Sequence, residues 1–240
     1  MDFYQSVGLM RTIGILGGMG PVATGEFILR ILALCQKGHG AVQDGEYPAI
    51  AMYSMSPKGS NESGIKANNL LEREFLAGVK ELDKTSADFI TIPCNTAHHY
   101  IESMRNVAKV PIISITEETV KRAKRLGMKR IGLFASESTY KEGVYGKPFS
   151  ASGIIVVEPT ELEKKGLTRL VLHVMGGTLT SKDKLYLKKL IKRMKKDDGI
   201  DAAIIGCTEL SCVLRGKEYP MKAIDAMDVL AEEAVKNAYK

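Results

Sequence analysis

The sequence predicts an α/β protein built of two similar halves with mostly parallel sheets. Short runs rich in Ile and Val, apolar on both faces, alternate with longer amphipathic stretches. That is the pattern of covered parallel strands joined by crossover helices. Two strand-and-turn segments also recur, in the same order. Arg11-Thr-Ile-Gly-Ile-Leu resembles Lys129-Arg-Ile-Gly-Leu-Phe, with Ile13 matching Ile131, 118 positions on. Asp88-Phe-Ile-Thr-Ile-Pro-Cys94 resembles Asp201-Ala-Ala-Ile-Ile-Gly-Cys207, with the cysteines 113 positions apart. Two similar offsets near half of 240 residues point to an internal duplication.

Strands are expected over residues 12–16, 49–54, 89–93, 111–115, 130–135, 154–157, 202–206 and 222–224. They suit central strands with helices on both sides. Helices are expected over 24–37, with Phe27, Ile28, Ile31, Leu34 and Cys35 on one stripe, and over 65–82, with Leu71, Phe75, Val79 and Leu82. Further helices are expected over 117–126, 162–175, 181–196 and 228–239. No Pro-, Ser- or Gly-rich linker separates the halves, so they should pack tightly. The first domain is expected over 1–112 and the second over 113–225, with a final helix at about 226–240 packing back on the first.

Composition removes several function classes. Four cysteines in 240 residues do not make a disulfide framework. No apolar run approaches the roughly 20 residues of a membrane span, and residues 1–12 lack the charged start and apolar core of a signal peptide. The expectation is a cytoplasmic protein with reduced thiols and no membrane partner. The net charge is +6. Its basic runs, 121–125 and 188–196, carry Val120, Ala123, Leu187, Leu190, Ile191 and Met194 at helical spacing. They read as solvated helix faces, and no stacking aromatics accompany them, so no nucleic-acid partner is expected.

Three segments carry chemistry. Gly17-Gly18-Met19-Gly20-Pro21-Val-Ala23-Thr24 follows a strand and opens a helix. Glycines there let backbone N–H groups approach a small carboxylate or phosphate. Gly18, Gly20 and Ala23 also fit G-x-G-x-x-A, but the second strand ends Tyr53-Ser54-Met55 without the acid that a dinucleotide ribose requires. Pro93-Cys94-Asn95-Thr96-Ala97-His98 and Gly206-Cys207-Thr208-Glu209-Leu210 each place a cysteine where a strand ends and a helix begins. Ligands of open α/β sheets sit at that end of the strands, and a helix N-terminus favours a thiolate. If the halves face each other, the two thiols do too. Two opposed acid/base groups flanking one carbon are what stereochemical inversion requires. Cys35 and Cys212 read as buried small hydrophobes. His39 and His173 read as fillers. A zinc site can be drawn from Cys94, His98, Cys207 and Cys212, but the spacings are not those of zinc motifs. A Cys–His hydrolase using Cys94 with His98 or His99 would leave Cys207 without a role.

In combination and order, these segments resemble the aspartate/glutamate racemase family, in the aspartate racemase branch. Weaker matches are Pro111 to Glu118, Gly132 to Thr139 with Tyr145 following, and Ile224-Asp225. The resemblance implies two Rossmann-like α/β domains related by pseudo-twofold symmetry, an active site in the cleft between them, and a homodimer. It implies neither pyridoxal phosphate nor metal: no cofactor. By the match of motifs, Cys94 and Cys207 would be the catalytic pair. Met19, Asn95, Thr96, Thr139 and Thr208 would line an amino-acid substrate, and Glu209 would sit near the amino group or set the ionisation of Cys207. Ser54 opens the loop after the second strand and is counted with the substrate-binding residues. Aspartate-specific members carry an Arg in that loop, whereas residues 54–66 here have none. Lys58, or Lys182 in the second half, would then pair with a side-chain carboxylate. A broader range of amino acids fits the same departure. Two further readings stay open: a two-cysteine isomerase or lyase acting on another carboxylic acid, and a non-catalytic amino-acid-binding protein. The ten residues before Arg11 match nothing in the family core; they are either an extension or precede a start at Met10.

Overall fold

Parallel strands buried on both faces need side chains apolar in every direction. The computed structural model describes residues 10–58, 60–61, 64–65 and 68–240, and it places such runs at the centre of two sheets. The expectation for the first nine residues lies outside the described ones.

The chain begins with β1 (Ile13–Gly17), α1 (Pro21–His39) and β2 (Ile50–Ser54), followed by the two-residue strands β3 (Ser60–Asn61) and β4 (Gly64–Ile65). Next come α2 (Asn68–Leu82), β5 (Phe89–Thr91), α3 (Ile101–Val107), β6 (Ile112–Ile113) and α4 (Ile115–Arg125). The second half runs β7 (Arg130–Ala135), α5 (Glu137–Lys141), α6 (Gly146–Ser150), β8 (Ile155–Val157), α7 (Glu161–Met175), α8 (Ser181–Asp197), β9 (Ala202–Gly206), β10 (Ala223–Asp225) and α9 (Ala226–Ala238).

Each half holds one four-stranded sheet, ordered β2-β1-β5-β6 and β8-β7-β9-β10, with every pairing parallel. The strands that the sequence repeat links, β1 with β7 and β5 with β9, occupy the same central places in the two sheets. β1, β5 and β9 are buried at every residue. Expected cover on both sides fails at β2 and β8. These are edge strands, and Met52, Tyr53 and Ile155 stay exposed. Periodicity cannot distinguish an apolar edge strand from a central one.

The six expected helices are α1, α2, α4, α7, α8 and α9. Short α3, α5 and α6 and the β3–β4 hairpin were not anticipated, because they are too brief to show a period. Ile115, expected as the last residue of a strand, instead begins α4, where Ser114 accepts a hydrogen bond from the Glu117 N–H as N-cap. α9 lies against α1 and α4 and buries Met227, Leu230, Ala234 and Val235 in one cluster with Ile13, Ile15, Phe27 and Phe89. Full burial of a Leu of this kind contributes about 1.5–3 kcal/mol. Among the described residues no helix is long and apolar enough to cross a membrane.

Candidate active site

The glycine turn after β1 is shaped by its neighbours. Gly18 has φ +93°, and a Cβ there would fall 2.9 Å from the Met55 carbonyl carbon, so only glycine fits. Thr24, one turn into α1, accepts the Gly18 N–H at 2.9 Å and donates to the Gly20 carbonyl at 2.9 Å. Gly20 is extended at the N-cap, with Pro21 opening the helix. Its N–H donates to Glu209 Oε1 at 3.1 Å. The anion at this turn is therefore a carboxylate of the protein's own second half, where the sequence alone suggested a substrate group.

After β5, Ile92 and Pro93 end the strand, and the Cys94 N–H donates to the Ile92 carbonyl at 2.8 Å. A 3₁₀ turn, Thr96–Tyr100, follows. His98 is buried beneath it. Its Nδ1 lies 2.9 Å from the Cys94 carbonyl oxygen, and its Nε2 accepts the Ile115 N–H at 3.2 Å. That pairing puts the proton on Nδ1. Burial pushes the ring down to about 4, so it is neutral. Both nitrogens hold backbone, so His98 is no base for the Cys94 thiol. His99 lies instead beside Glu142, at 3.5 Å.

Asn95 and Thr96 reach into the second half. Asn95 Oδ1 accepts from the Tyr145 hydroxyl at 2.7 Å, while the buried Asn95 Nδ2 has no hydrogen-bond partner among the described residues. Thr96 Oγ1 lies 3.2 Å from Ser136 Oγ and 2.9 Å from Thr139 Oγ1, closing a ring of hydroxyls at the start of α5.

Cys207 follows β9 directly and precedes a three-residue 3₁₀ turn, Leu210–Cys212. Behind Cys207 the expected helix N-terminus is thus one short turn, whereas behind Cys94 the 3₁₀ turn runs straight into α3. So few peptide dipoles add little at Cys207, where local hydrogen bonds govern the thiol. The Cys207 thiol donates to Glu209 Oε2 at 3.2 Å, and the Thr208 hydroxyl donates to the same oxygen at 3.3 Å. A carboxylate in that position stabilises the thiol against the thiolate. The turn is braced from α1. Arg30, buried on the core side, donates to the Ser211 carbonyl at 2.7 Å and pairs with Asp225 at 3.1 Å and Asp228 at 2.6 Å. Ser211 Oγ donates to Asp225 at 2.6 Å. Burial pushes the Cys212 thiol up to about 12, and it raises that of Cys35 as well, in keeping with packing roles for both.

The two turns open onto one cavity of about 420 Å³ between the halves. Met19, Cys94, Asn95, Thr96, Thr139, Cys207, Thr208 and Glu209 all line it. Ser54, Lys58 and Lys182 do not. Ser54 is exposed at the end of β2, the exposed Lys58 is held through its N–H by Glu74, and Lys182 is exposed at the start of α8. Lys66 lies outside the described residues. The sequence reading missed Met55, Leu71, Phe75, Leu172 and Met175, which give the cavity an apolar wall, and also Ser136 and Ser138. The two serines lie within the segment 132–139, where a signal existed. The apolar five look like ordinary core residues in sequence. Among the described residues no cluster of three or more His, Cys, Asp or Glu side chains is arranged to hold a metal ion.

A family model described as Asp/Glu/Hydantoin racemase matches residues 16–234. The chain belongs to that family. It is an isomerase of the racemase class. A curated relative, the broad specificity amino-acid racemase RacX of Bacillus subtilis strain 168, is 30% identical over 93% of this chain and 96% of its own. An aspartate racemase from Picrophilus torridus superposes with a TM-score of 0.78 at 24% identity, covering 95% of this chain and 94% of that one. An aspartate racemase homologue from Pyrococcus horikoshii OT3 gives 0.80 at 23% identity, over 96% of this chain and 100% of that one. The two structural matches carry the two-domain fold.

Proposed function

We propose that this family member racemises amino acids without a cofactor, Cys94 and Cys207 each serving one face of the α-carbon. The observation that carries the reading is that the two cysteines, one from each duplicated half, line the same cavity. The Cys207 thiol, donating to Glu209, is the resting acid. The Cys94 thiolate takes the α-proton, and its electron pair moves toward the α-carboxylate. The Cys207 thiol then delivers its proton to the opposite face. Product leaves with the two sulfurs in exchanged protonation states, which is the state that catalyses the reverse direction.

The α-proton of an amino acid is very weakly acidic, so negative charge developing on the carboxylate has to meet preorganised donors. The hydroxyls of Thr96, Ser136, Ser138, Thr139 and Thr208 line the cavity. The unpartnered Asn95 Nδ2 supplies a further donor, and a buried amide left unpaired costs about 1–3 kcal/mol that a bound carboxylate oxygen would recover. Glu209 is the anionic group suited to the substrate ammonium. The same reading takes the chain as a cytoplasmic homodimer divided near residue 112, supported by the family resemblance and the duplicated sheets. Sedimentation of the reduced protein checks the dimer.

Proton NMR of the reduced protein in D₂O with a panel of L-amino acids and no added cofactor tests the reaction. Loss of an α-proton signal with appearance of D-isomer is expected. If no amino acid exchanges while the thiols titrate as free, the racemase reading is wrong.

A further inference from the structure

The charges around the cavity do not suit an acidic side chain. Glu209 is its one carboxylate among the described lining residues, and no Lys, Arg or His joins it. An amino acid with a neutral side chain brings one ammonium and one carboxylate. The first meets Glu209, and the second meets the Asn95 amide and the hydroxyls. Aspartate or glutamate would bring a second carboxylate into a site that already holds one, with no described cation to pair with it. Desolvating such a charge without a partner is strongly unfavourable.

The rest of the lining is apolar and comes from both halves. Met55, Leu71 and Phe75 are buried against the first half. Gly78 of α2 makes room for Met55: a Cβ there would lie 3.0 Å from the Met55 sulfur. Leu172 and Met175, at the end of α7, are 50% and 39% exposed at the cavity. Met175 reaches the glycine turn, its Cε 3.9 Å from the position of a Cβ on Gly20. Thioether side chains are unbranched and polarisable, and they adapt to guests of varied shape. Apolar groups exposed beside an enclosed apolar wall gain by being covered.

We infer that the substrates are amino acids with uncharged, apolar side chains, of the size of leucine or methionine, seated between Met55, Leu71 and Phe75 on one side and Leu172 and Met175 on the other. This rests on the racemase reading of the same cavity. Exposed Lys58, held through its backbone by Glu74, then has no substrate carboxylate to serve.

The test compares α-proton exchange in D₂O for L-methionine, L-leucine, L-aspartate and L-glutamate, together with calorimetric binding of each. Methionine and leucine are expected to exceed the acidic pair at least tenfold in kcat/KM. Aspartate or glutamate matching them overturns the inference and leaves the racemase reading intact. Methionine binding more tightly than aspartate, with no exchange of either, sinks the racemase reading and supports the apolar site. Failure of methionine to bind at all overturns the site assignment. Met175→Lys, at a half-exposed position that tolerates charge, should shift the kcat/KM ratio of glutamate to methionine upward by tenfold or more. An unchanged ratio removes Met175 from the side-chain pocket.

Discussion

The two cysteine turns occupy matching places in matching sheets, and each is clasped by the opposite half, but the clasps differ in kind. The Cys94 turn is closed by neutral groups. Asn95 meets Tyr145, Thr96 meets Ser136 and Thr139, and a neutral His98 ties the turn to α4. The Cys207 turn is closed by charge. Glu209 takes the Gly20 N–H and the Cys207 thiol, and behind it Arg30 binds the Ser211 carbonyl and Asp225. A symmetric scaffold thus gives its two sulfurs different surroundings. In a two-base inversion one sulfur holds a proton while the other lacks one and the roles exchange at each turnover, so unequal surroundings set which of the two forms the resting enzyme favours.

Removing either sulfur is the strongest way to break the comparison. Cys94→Ala and Cys207→Ala should each reduce racemisation by at least about 10²–10⁴-fold, the range of a positioned acid or base. Assays of D-isomer formation read this directly. A wild-type rate in either variant would make the turns unequal in a way that a two-base mechanism forbids.

The charged clasp should cost more stability when cut than the neutral one. Arg30→Met leaves Asp225 and the Ser211 carbonyl without their cation in a buried place. Breaking a buried pair from one side costs about 3–5 kcal/mol. Urea midpoints measure it. A loss under about 1 kcal/mol would show that solvent, not Arg30, balances Asp225.

The sequence disclosed the scaffold far better than the clasps. β7 and β9 were legible to the residue, because central parallel strands are unbroken apolar runs. Cys94 and Cys207 stood out because the duplication repeated them. Arg30 and Asp225 were not legible as a pair. Their contact depends on α9 folding back across α1, and no local pattern encodes a meeting of residues 195 positions apart. The dipole argument fell short at Cys207 for a related reason: the turn after it looks like a helix start in sequence, yet it closes as a three-residue 3₁₀ turn whose Ser211 carbonyl is taken by Arg30 from the first half. Lys58 has the charge and the loop position of the Arg that aspartate-specific members carry, and Lys182 has the charge, but neither lines the cavity.

The neutral clasp is sharpened by acid. His98 titrates near 4 in the folded protein against 6.5 for an ordinary imidazole. The unfolded chain therefore binds the proton first, and stability falls as pH drops from about 6.5 toward 4. The full effect of this one group is roughly 3 kcal/mol. Above pH 6.5 its contribution is constant. Urea denaturation of wild type and His98→Ala across pH 4–8 separates it from the carboxylates. The variant should lose about 2–3 kcal/mol at pH 7, because the Cys94 carbonyl and Ile115 N–H go unpaired, and should show a shallower fall in acid. Parallel slopes would mean that the ring is not held neutral.

Glu209→Gln asks for the smallest change and speaks most directly to the difference between the sulfurs. The amide oxygen can still accept the Gly20 N–H, so the clasp stays closed, but the charge that keeps the proton on Cys207 is gone. The bell-shaped dependence of kcat/KM on pH has an acid limb set by the sulfur that must be deprotonated and an alkaline limb set by the one that must keep its proton. Without the carboxylate the Cys207 thiol ionises more readily, so the alkaline limb moves to lower pH while the acid limb holds. The maximum should fall by about tenfold, since the ammonium partner is weakened too. An alkaline limb that stays in place, or an acid limb that moves instead, would assign the resting proton to Cys94 and reverse the roles of the two turns.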